Sequence, residues 1–227
     1  MSAERRPIIA IDGPSGAGKT TAARNLARRL GLTYLDTGAT FRAIALKALR
    51  SGIDLDDEAA LVEMAEDTEI AFAGDHSERI LLDGHDVSEA IREEPLSRAS
   101  SRVAVHPKLR GVLVALWRRI GEDGGVVLEG RDIGTAVFPR AELKFFLDAD
   151  QKQRARRRFS ERSGEKGITL DRVADDLARR DDSDRSREHS PLRRAPDAIH
   201  VDTTHLTPEQ TLERLLEAAR LRLPLDF

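Results

Sequence analysis

Ile8-Ile9-Ala10-Ile11-Asp12-Gly13-Pro14-Ser15-Gly16-Ala17-Gly18-Lys19-Thr20-Thr21 decides how the rest of the chain is read. The four apolar residues are the pattern of a strand buried on both faces, and Asp12-Gly13-Pro14 stops it. From Thr21 to Leu30 the residues are helix formers, with Ala22, Leu26 and Leu30 at helical spacing. Between strand and helix, Gly13 to Thr20 matches G-x-x-x-x-G-K-[ST] at every fixed position, the P-loop pattern in its required setting. The glycines let backbone N–H groups turn toward phosphate oxygens, and the helix N-terminus adds its positive dipole end. Lys19 can reach the outer phosphates, and the Thr20 hydroxyl can ligate Mg²⁺.

Outward from this loop, strands and helices alternate. Thr33-Tyr34-Leu35, Val126-Val127-Leu128, Leu143 to Leu147 and Ala198 to Asp202 read as further strands. Thr37 to Arg50, His106 to Ile120, Asp150 to Arg162 and Thr169 to Arg180 read as helices. Thr207-Pro208-Glu209-Gln210 starts a last helix with a capping box. The expected fold class is α/β: a P-loop fold with a parallel sheet of about five strands between helices. Glu69 to Phe72 and Arg79 to Leu82, separated by Gly74-Asp75-His76-Ser77 and followed by the turn Asp83-Gly84 and Asp86-Val87, break the rhythm. They suggest an antiparallel meander, hence an inserted subdomain.

The 227 residues, 40% hydrophobic, suffice for a sizeable core, and the absence of cysteine excludes disulfides and thiolate metal sites. No apolar run nears the ~20 residues that cross a bilayer, and the polar start, Met1 to Pro7, is no signal peptide. A soluble cytoplasmic protein is expected. The net charge of −3 argues against a general nucleic-acid binder, yet Lys152 to Arg194 holds fourteen Lys/Arg against nine Asp/Glu. That run is either a solvated helical surface or a site for phosphates. His76, His106 and His189 are too scattered for a metal site. No N-K-x-D base-reading pattern is present, which disfavours a GTPase switch.

Three more clusters bear on chemistry. Asp36-Thr37-Gly38-Ala39-Thr40-Phe41-Arg42 follows a strand and opens a helix, so it is either a second anion site or an ordinary capped helix. Glu129-Gly130-Arg131-Asp132-Ile133-Gly134-Thr135 lies past a strand's C-terminal end, where open parallel sheets place ligands. Arg179-Arg180-Asp181-Asp182-Ser183-Asp184-Arg185-Ser186-Arg187 alternates in charge, as a solvated helix end or a phosphate clamp would.

Together with the P-loop, these clusters resemble the bacterial cytidylate kinases, members of the P-loop nucleoside monophosphate kinases. The resemblance runs from Ile8 to about Arg220. It implies a core of residues 1–62 and 104–227, an inserted monophosphate-binding domain at 63–103, and an arginine-rich lid at about 152–190. It implies ATP and Mg²⁺ at Gly13, Pro14, Ser15, Gly16, Ala17, Gly18, Lys19, Thr20 and Thr21, with Arg157 against the adenine. Thr37 and Arg42 would contact the acceptor phosphate, Phe41 the pyrimidine, and Ser101 and Arg110 the base and phosphate. Arg131 and Asp132 would lie between donor and acceptor, Asp184 would hold the sugar hydroxyls, and Arg180 and Arg187 would bridge the phosphates. Asp132 is expected to orient Arg131 or metal-bound water. Lys19, Arg131, Asp132, Arg180 and Arg187 form the implied catalytic set, acting on CMP and dCMP; a monomer is expected because no exposed repeating apolar face suggests an obligate partner. The family often has Ser-Gly-x-x-Tyr-Arg and an Asp before Gly-Arg-Asp; this chain has Phe41 and Glu129. Rival readings are a P-loop kinase for UMP or a non-nucleotide metabolite, and a nucleotide-binding regulator without transfer.

Overall fold

The computed structural model describes residues 6–74, 79–164 and 167–223. Five strands form one parallel sheet: β1 (Ile8–Asp12), β2 (Thr33–Asp36), β6 (Val126–Gly130), β7 (Leu143–Asp148) and β8 (Ile199–Asp202), in the order β2-β6-β1-β7-β8. Every residue of β1 and β6 is buried, as the unbroken apolar runs require. Central β1 pairs Asp12 with Gly130 on one side and with Phe146 on the other. The P-loop and the loop after β6 therefore leave the sheet side by side.

Helices cover both faces. Among the described residues they are α1 (Lys19–Leu30), α2 (Thr37–Arg50), α3 (Glu58–Glu66), α4 (Glu94–Val103), α5 (Pro107–Ile120), α6 (Gln151–Glu161), α7 (Leu170–Ser186) and α8 (Pro208–Arg222). One face packs α1 and α8 through Leu26, Leu215, Leu216 and Ala219 onto Ile9, Ile11 and Phe145. The other packs α2, α4 and α5 onto Ile8, Ala10 and Leu128. Between α6 and α7 lies a separate small cluster, Ala155, Val173 and Leu177.

The meander exists as β3 (Ile70–Ala73), β4 (Arg79–Leu82) and β5 (His85–Asp86), all antiparallel. Asp83 and Gly84 both take positive φ, 49° and 77°, as a tight hairpin turn needs. Residues 75–77 of the anticipated linker, with His76, lie outside the described residues. Its core side chains Ile70, Ile80 and Leu82 join the cluster of α2, α4 and α5. The insertion is thus continuous with one face of the main core.

Six boundaries or elements differ from expectation. α1 begins two residues early, at Lys19, and β8 begins at Ile199. α7 runs six residues past Arg180, so Asp181 and Asp184 are helical and buried. Helices α3 and α4 were not anticipated. The Gly-Arg-Asp-x-Gly segment, read as lying past a strand end, leads into a single π-helical turn, Ile133–Val137, whose glycine is buried. His106 precedes α5, its ring bonded to the Leu55 carbonyl at 2.8 Å. Among the described residues no helix is long and apolar enough to cross a membrane.

Candidate active site

The sheet's C-terminal edge opens into a cavity of about 630 Å³. Two close backbone approaches shape its floor. Gly13, at φ 148°, passes so near β7 that a Cβ would lie 1.9 Å from the Leu147 carbonyl oxygen. At Gly130 a Cβ would lie 2.9 Å from Thr37 Oγ1, which donates to the Glu129 carbonyl at 2.7 Å. These glycines let the two loops and the start of α2 converge.

Every anticipated site residue lines this cavity except Gly13 and Pro14. Lys19 donates to the Pro14 carbonyl at 2.8 Å across the loop. Thr37 and Arg42 come from the first turns of α2, where Asp36 caps the helix through Ala39 N–H and pairs with Arg42 at 2.9 Å. Phe41 meets Trp117 edge-on, and the Arg110 guanidinium lies over its ring. Ser101 donates to the Ser97 carbonyl in α4 at 3.2 Å. Arg157 lies close to Gly18 and donates to Thr203 Oγ1 at 3.1 Å.

The site carboxylates are paired with guanidiniums. Asp132, expected to orient Arg131 or metal-bound water, pairs with Arg110 at 2.5 Å, both nearly fully buried. Arg131 Nε donates to Asp184 at 2.7 Å, while the other Asp184 oxygen accepts from Arg187. Asp184, expected on sugar hydroxyls, is the counter-ion of two guanidiniums. Arg180 donates to Ser97 Oγ at 3.0 Å. Glu94, at the start of α4, holds Arg158 at 3.3 Å and Arg162 at 3.5 Å. Helices α6 and α7 therefore touch α4 across the cavity mouth.

Several contributors carried no sequence signal. Arg154 in α6 is buried and donates to the Ala149 and Ser15 carbonyls at 3.0 Å and to Asp181 at 2.5 Å, tying α7 to the P-loop. Thr203 links the Ala17 carbonyl to Arg157. Tyr34 donates to Glu129 Oε1 at 2.5 Å, so the longer acid in place of Asp has a partner on β2. Asp12 accepts two backbone hydrogen bonds beneath the cavity. The periodicity of Glu94 to Val103, with Pro95 in its first turn, was the one available hint of α4.

The electrostatics of the cavity suit anions. Lys19, Arg42, Arg110, Arg131, Arg157, Arg158, Arg180 and Arg187 all face the cavity. Burial, then the neighbouring Arg131, lowers the Lys19 pKa to about 7. Burial and three nearby arginines bring Arg180 to about 9, and burial with Arg110 and Arg131 brings Arg187 to about 10. Burial raises Glu129, and the Asp36 charge adds to it. Cations crowded enough to resist protonation gain most from a polyanion. For a divalent cation, the Thr20 hydroxyl and the Glu129 carboxylate offer hard oxygen donors at the P-loop's end, with Glu129 hydrogen-bonded to Thr20. That donor set fits Mg²⁺ held chiefly through phosphates and water.

Comparison with known proteins adds the chemistry. A family model described as cytidylate kinase matches residues 9–221. A cytidylate kinase of Syntrophotalea carbinolica is 49% identical over 221 residues, covering 96% of this chain and 94% of the relative. One of Geobacillus kaustophilus is 46% identical over 223 residues, covering 97% and 99%. A bifunctional pantoate ligase/cytidylate kinase of Gloeobacter violaceus is 46% identical, with this chain spanning 43% of that protein. Among solved structures, an uncharacterized protein from Eubacterium ventriosum superposes with a TM-score of 0.50 at 13% identity, covering 96% of this chain and all of that one. That likeness concerns the fold.

Proposed function

The chain belongs to the cytidylate kinase family, and from that premise we propose that it transfers the terminal phosphoryl group of ATP to CMP and dCMP. One observation carries this reading beyond family membership. Cations of the P-loop and cations of α2, α5 and α7 meet in a single cavity at the ends of two adjacent strands. A protein that only sensed one nucleotide would need the first set alone.

The donor is assigned to Gly13 through Thr21, with the adenine on the Arg157 and Thr203 side. The acceptor is assigned to Thr37, Phe41, Arg42, Ser101, Arg110 and Asp184. Residues 63–103 form the acceptor-binding insertion in this reading, and 152–190 the lid. The separate cluster of α6 and α7 supports their moving as one piece. ATP and the acceptor are the partners, and the protein works as a monomer in the cytoplasm.

The acceptor phosphate is already anionic at neutral pH, so it needs no strong base. The barrier lies in bringing two anions together and in the charge on the group in flight. Lys19, Arg131, Arg180 and Arg187 supply positive charge around the group in flight. Asp184 keeps Arg131 and Arg187 beside the acceptor volume until phosphate replaces it as their counter-ion. Mg²⁺, bound near Thr20 and Glu129, would screen the donor phosphates. The lid excludes water, which would otherwise accept the phosphoryl group. Direct in-line transfer is the geometry this reading assigns, with the P-loop groups and the acceptor groups lining one cavity.

The test is ADP release from Mg·ATP with CMP, dCMP, UMP, AMP or GMP as the acceptor. Strong turnover with CMP and dCMP, weak with UMP and none with purines, is expected. Equal turnover with UMP would remove Ser101 and Arg110 as base readers, and no turnover with any acceptor would overturn the reading.

Nucleotide binding should also take up a proton. In the free protein Lys19 has a pKa of about 7, so at pH 8 it is mostly neutral. Triphosphate beside it favours the charged form and raises that pKa. At pH 8 nearly one proton should be absorbed per ATP bound, and the uptake should vanish below about pH 6, where Lys19 is already charged. Titration calorimetry in two buffers of different ionisation enthalpy measures it. Equal apparent heats in both buffers at pH 8 would contradict the assignment of Lys19 to the phosphates.

A further inference from the structure

Asp12 terminates β1 and turns sideways beneath the neighbouring loop. Its Oδ1 accepts the Ile133 N–H and its Oδ2 the Gly134 N–H, both at 2.8 Å, and the residue is 3% exposed. These amides open the π-helical turn Ile133–Val137. The turn's other end is held as well. Arg118 of α5 donates Nη2 to the Ala136 carbonyl at 2.8 Å and Nε to the Val137 carbonyl at 3.0 Å. A carboxylate on the N–H end and a guanidinium on the C=O end match the polarity of the turn's backbone dipoles. Room is tight: a Cβ at Gly134 would meet Lys144 Cδ at 3.0 Å and Asp12 Oδ2 at 3.4 Å.

The position of this clamp matters. Asp12 is followed directly by Gly13, where the donor loop begins. Arg131 and Asp132 directly precede the clamped turn. β1 and β6 run level at Asp12 and Gly130, and beyond that pair the sheet no longer joins the two loops. The carboxylate joins them again one turn further out. Burying a charge so close to Asp132 opposes folding, because the desolvated carboxylate and the like charge both disfavour ionisation. Such an arrangement persists where a fixed geometry compensates.

We infer that Asp12 is a positioning residue for phosphoryl transfer: its two hydrogen bonds fix the spacing between the donor loop and the segment carrying Arg131 and Asp132. The inference rests on the proposed kinase reading for its kinetic readout and on the hydrogen bonds alone for its structural one.

The test is Asp12→Asn. The amide keeps one acceptor oxygen and turns an NH₂ donor toward the second N–H, so one bond is lost and the turn shifts. Misplacement by a fraction of an ångström to 1 Å is expected to lower kcat about 30-fold or more. The KM values for ATP and CMP should stay within about threefold, because the groups that bind each nucleotide remain in place. Amide exchange at Ile133 and Gly134 should accelerate about tenfold or more, with no change in β7 or α8. A folded variant with kcat within about threefold of the parent, or a slowed one with unchanged exchange at these amides, overturns the inference. If Asp12→Asn does not fold, Arg118→Met releases the other end of the turn. It should show a smaller effect of the same kind, about fivefold in kcat at constant KM; unchanged kcat and exchange would again overturn it. Should the parent fail to phosphorylate CMP, the functional reading falls, while the exchange experiment still decides whether the clamp exists.

Discussion

Replacing Lys19 by alanine is expected to lower turnover with ATP and CMP about 10³-fold or more, while the protein stays folded. The ammonium group is buried in the P-loop, anchored on the Pro14 carbonyl, and faces Arg131 and Arg180 across the cavity. In the transferring complex it is placed on the phosphates whose charge shifts during the reaction. Arg131 and Arg180 approach from the loop after β6 and from α7, so neither takes the P-loop position from which Lys19 acts. Stability should move the opposite way. Burial and the neighbouring arginines penalise the charged lysine in the free protein, so its removal relieves repulsion, and alanine is a better residue in the first turn of α1. Steady-state turnover together with a melting curve makes the comparison. Near-normal turnover would sink the mechanism, and a large fall in melting temperature would mean that the loss reports misfolding.

The largest stability effect is expected at Asp132. Its carboxylate and the Arg110 guanidinium are 5% and 6% exposed and 2.5 Å apart. Asp132→Ala leaves a buried guanidinium without its counter-ion, a change that costs about 3–5 kcal/mol. Replacing both, as Arg110→Met with Asp132→Leu, removes both charges and should recover most of that loss, measured by urea unfolding without nucleotides. Activity should not return, because the guanidinium over Phe41 is assigned to the acceptor. Loss of stability with either single change, regained stability in the pair and persistent inactivity would separate structural from functional work at one site. A cost below about 1 kcal/mol for Asp132→Ala would show that water reaches the pair.

Some of this was readable from residues alone. The central strands were legible because residues buried on both faces leave unbroken apolar runs, and the P-loop because its geometry demands glycine and lysine at fixed spacing. The helices α3 and α4 were not. α4 buries two serines beside Leu96, Ala99 and Val103, so its inward face looks polar. The partners of the site charges were also hidden. Arg110 and Asp132 are 22 positions apart and Arg131 and Asp184 are 53 apart, and only sheet order and helix length bring them together. Within the arginine-rich run, composition could not distinguish Arg154, locked under the P-loop, from Arg157 and Arg158, which face the cavity. Asp12 read merely as the polar residue that ends a strand.

The two faces of the sheet also differ in when they can be completed during synthesis. All the buried side chains of the face that carries the acceptor groups lie between Ile8 and Ala141. The opposite face, which backs the P-loop helix, needs Leu215, Leu216, Ala219 and Leu223 from the last helix. A ribosome adding about 5–20 residues per second would supply that closing helix some seconds after the first face has all its parts. For that interval α1 would lack its cover, leaving an apolar surface open to chaperones or to a neighbouring nascent chain. Newly made protein should therefore be most prone to aggregate on its ATP side, before any nucleotide can be held there.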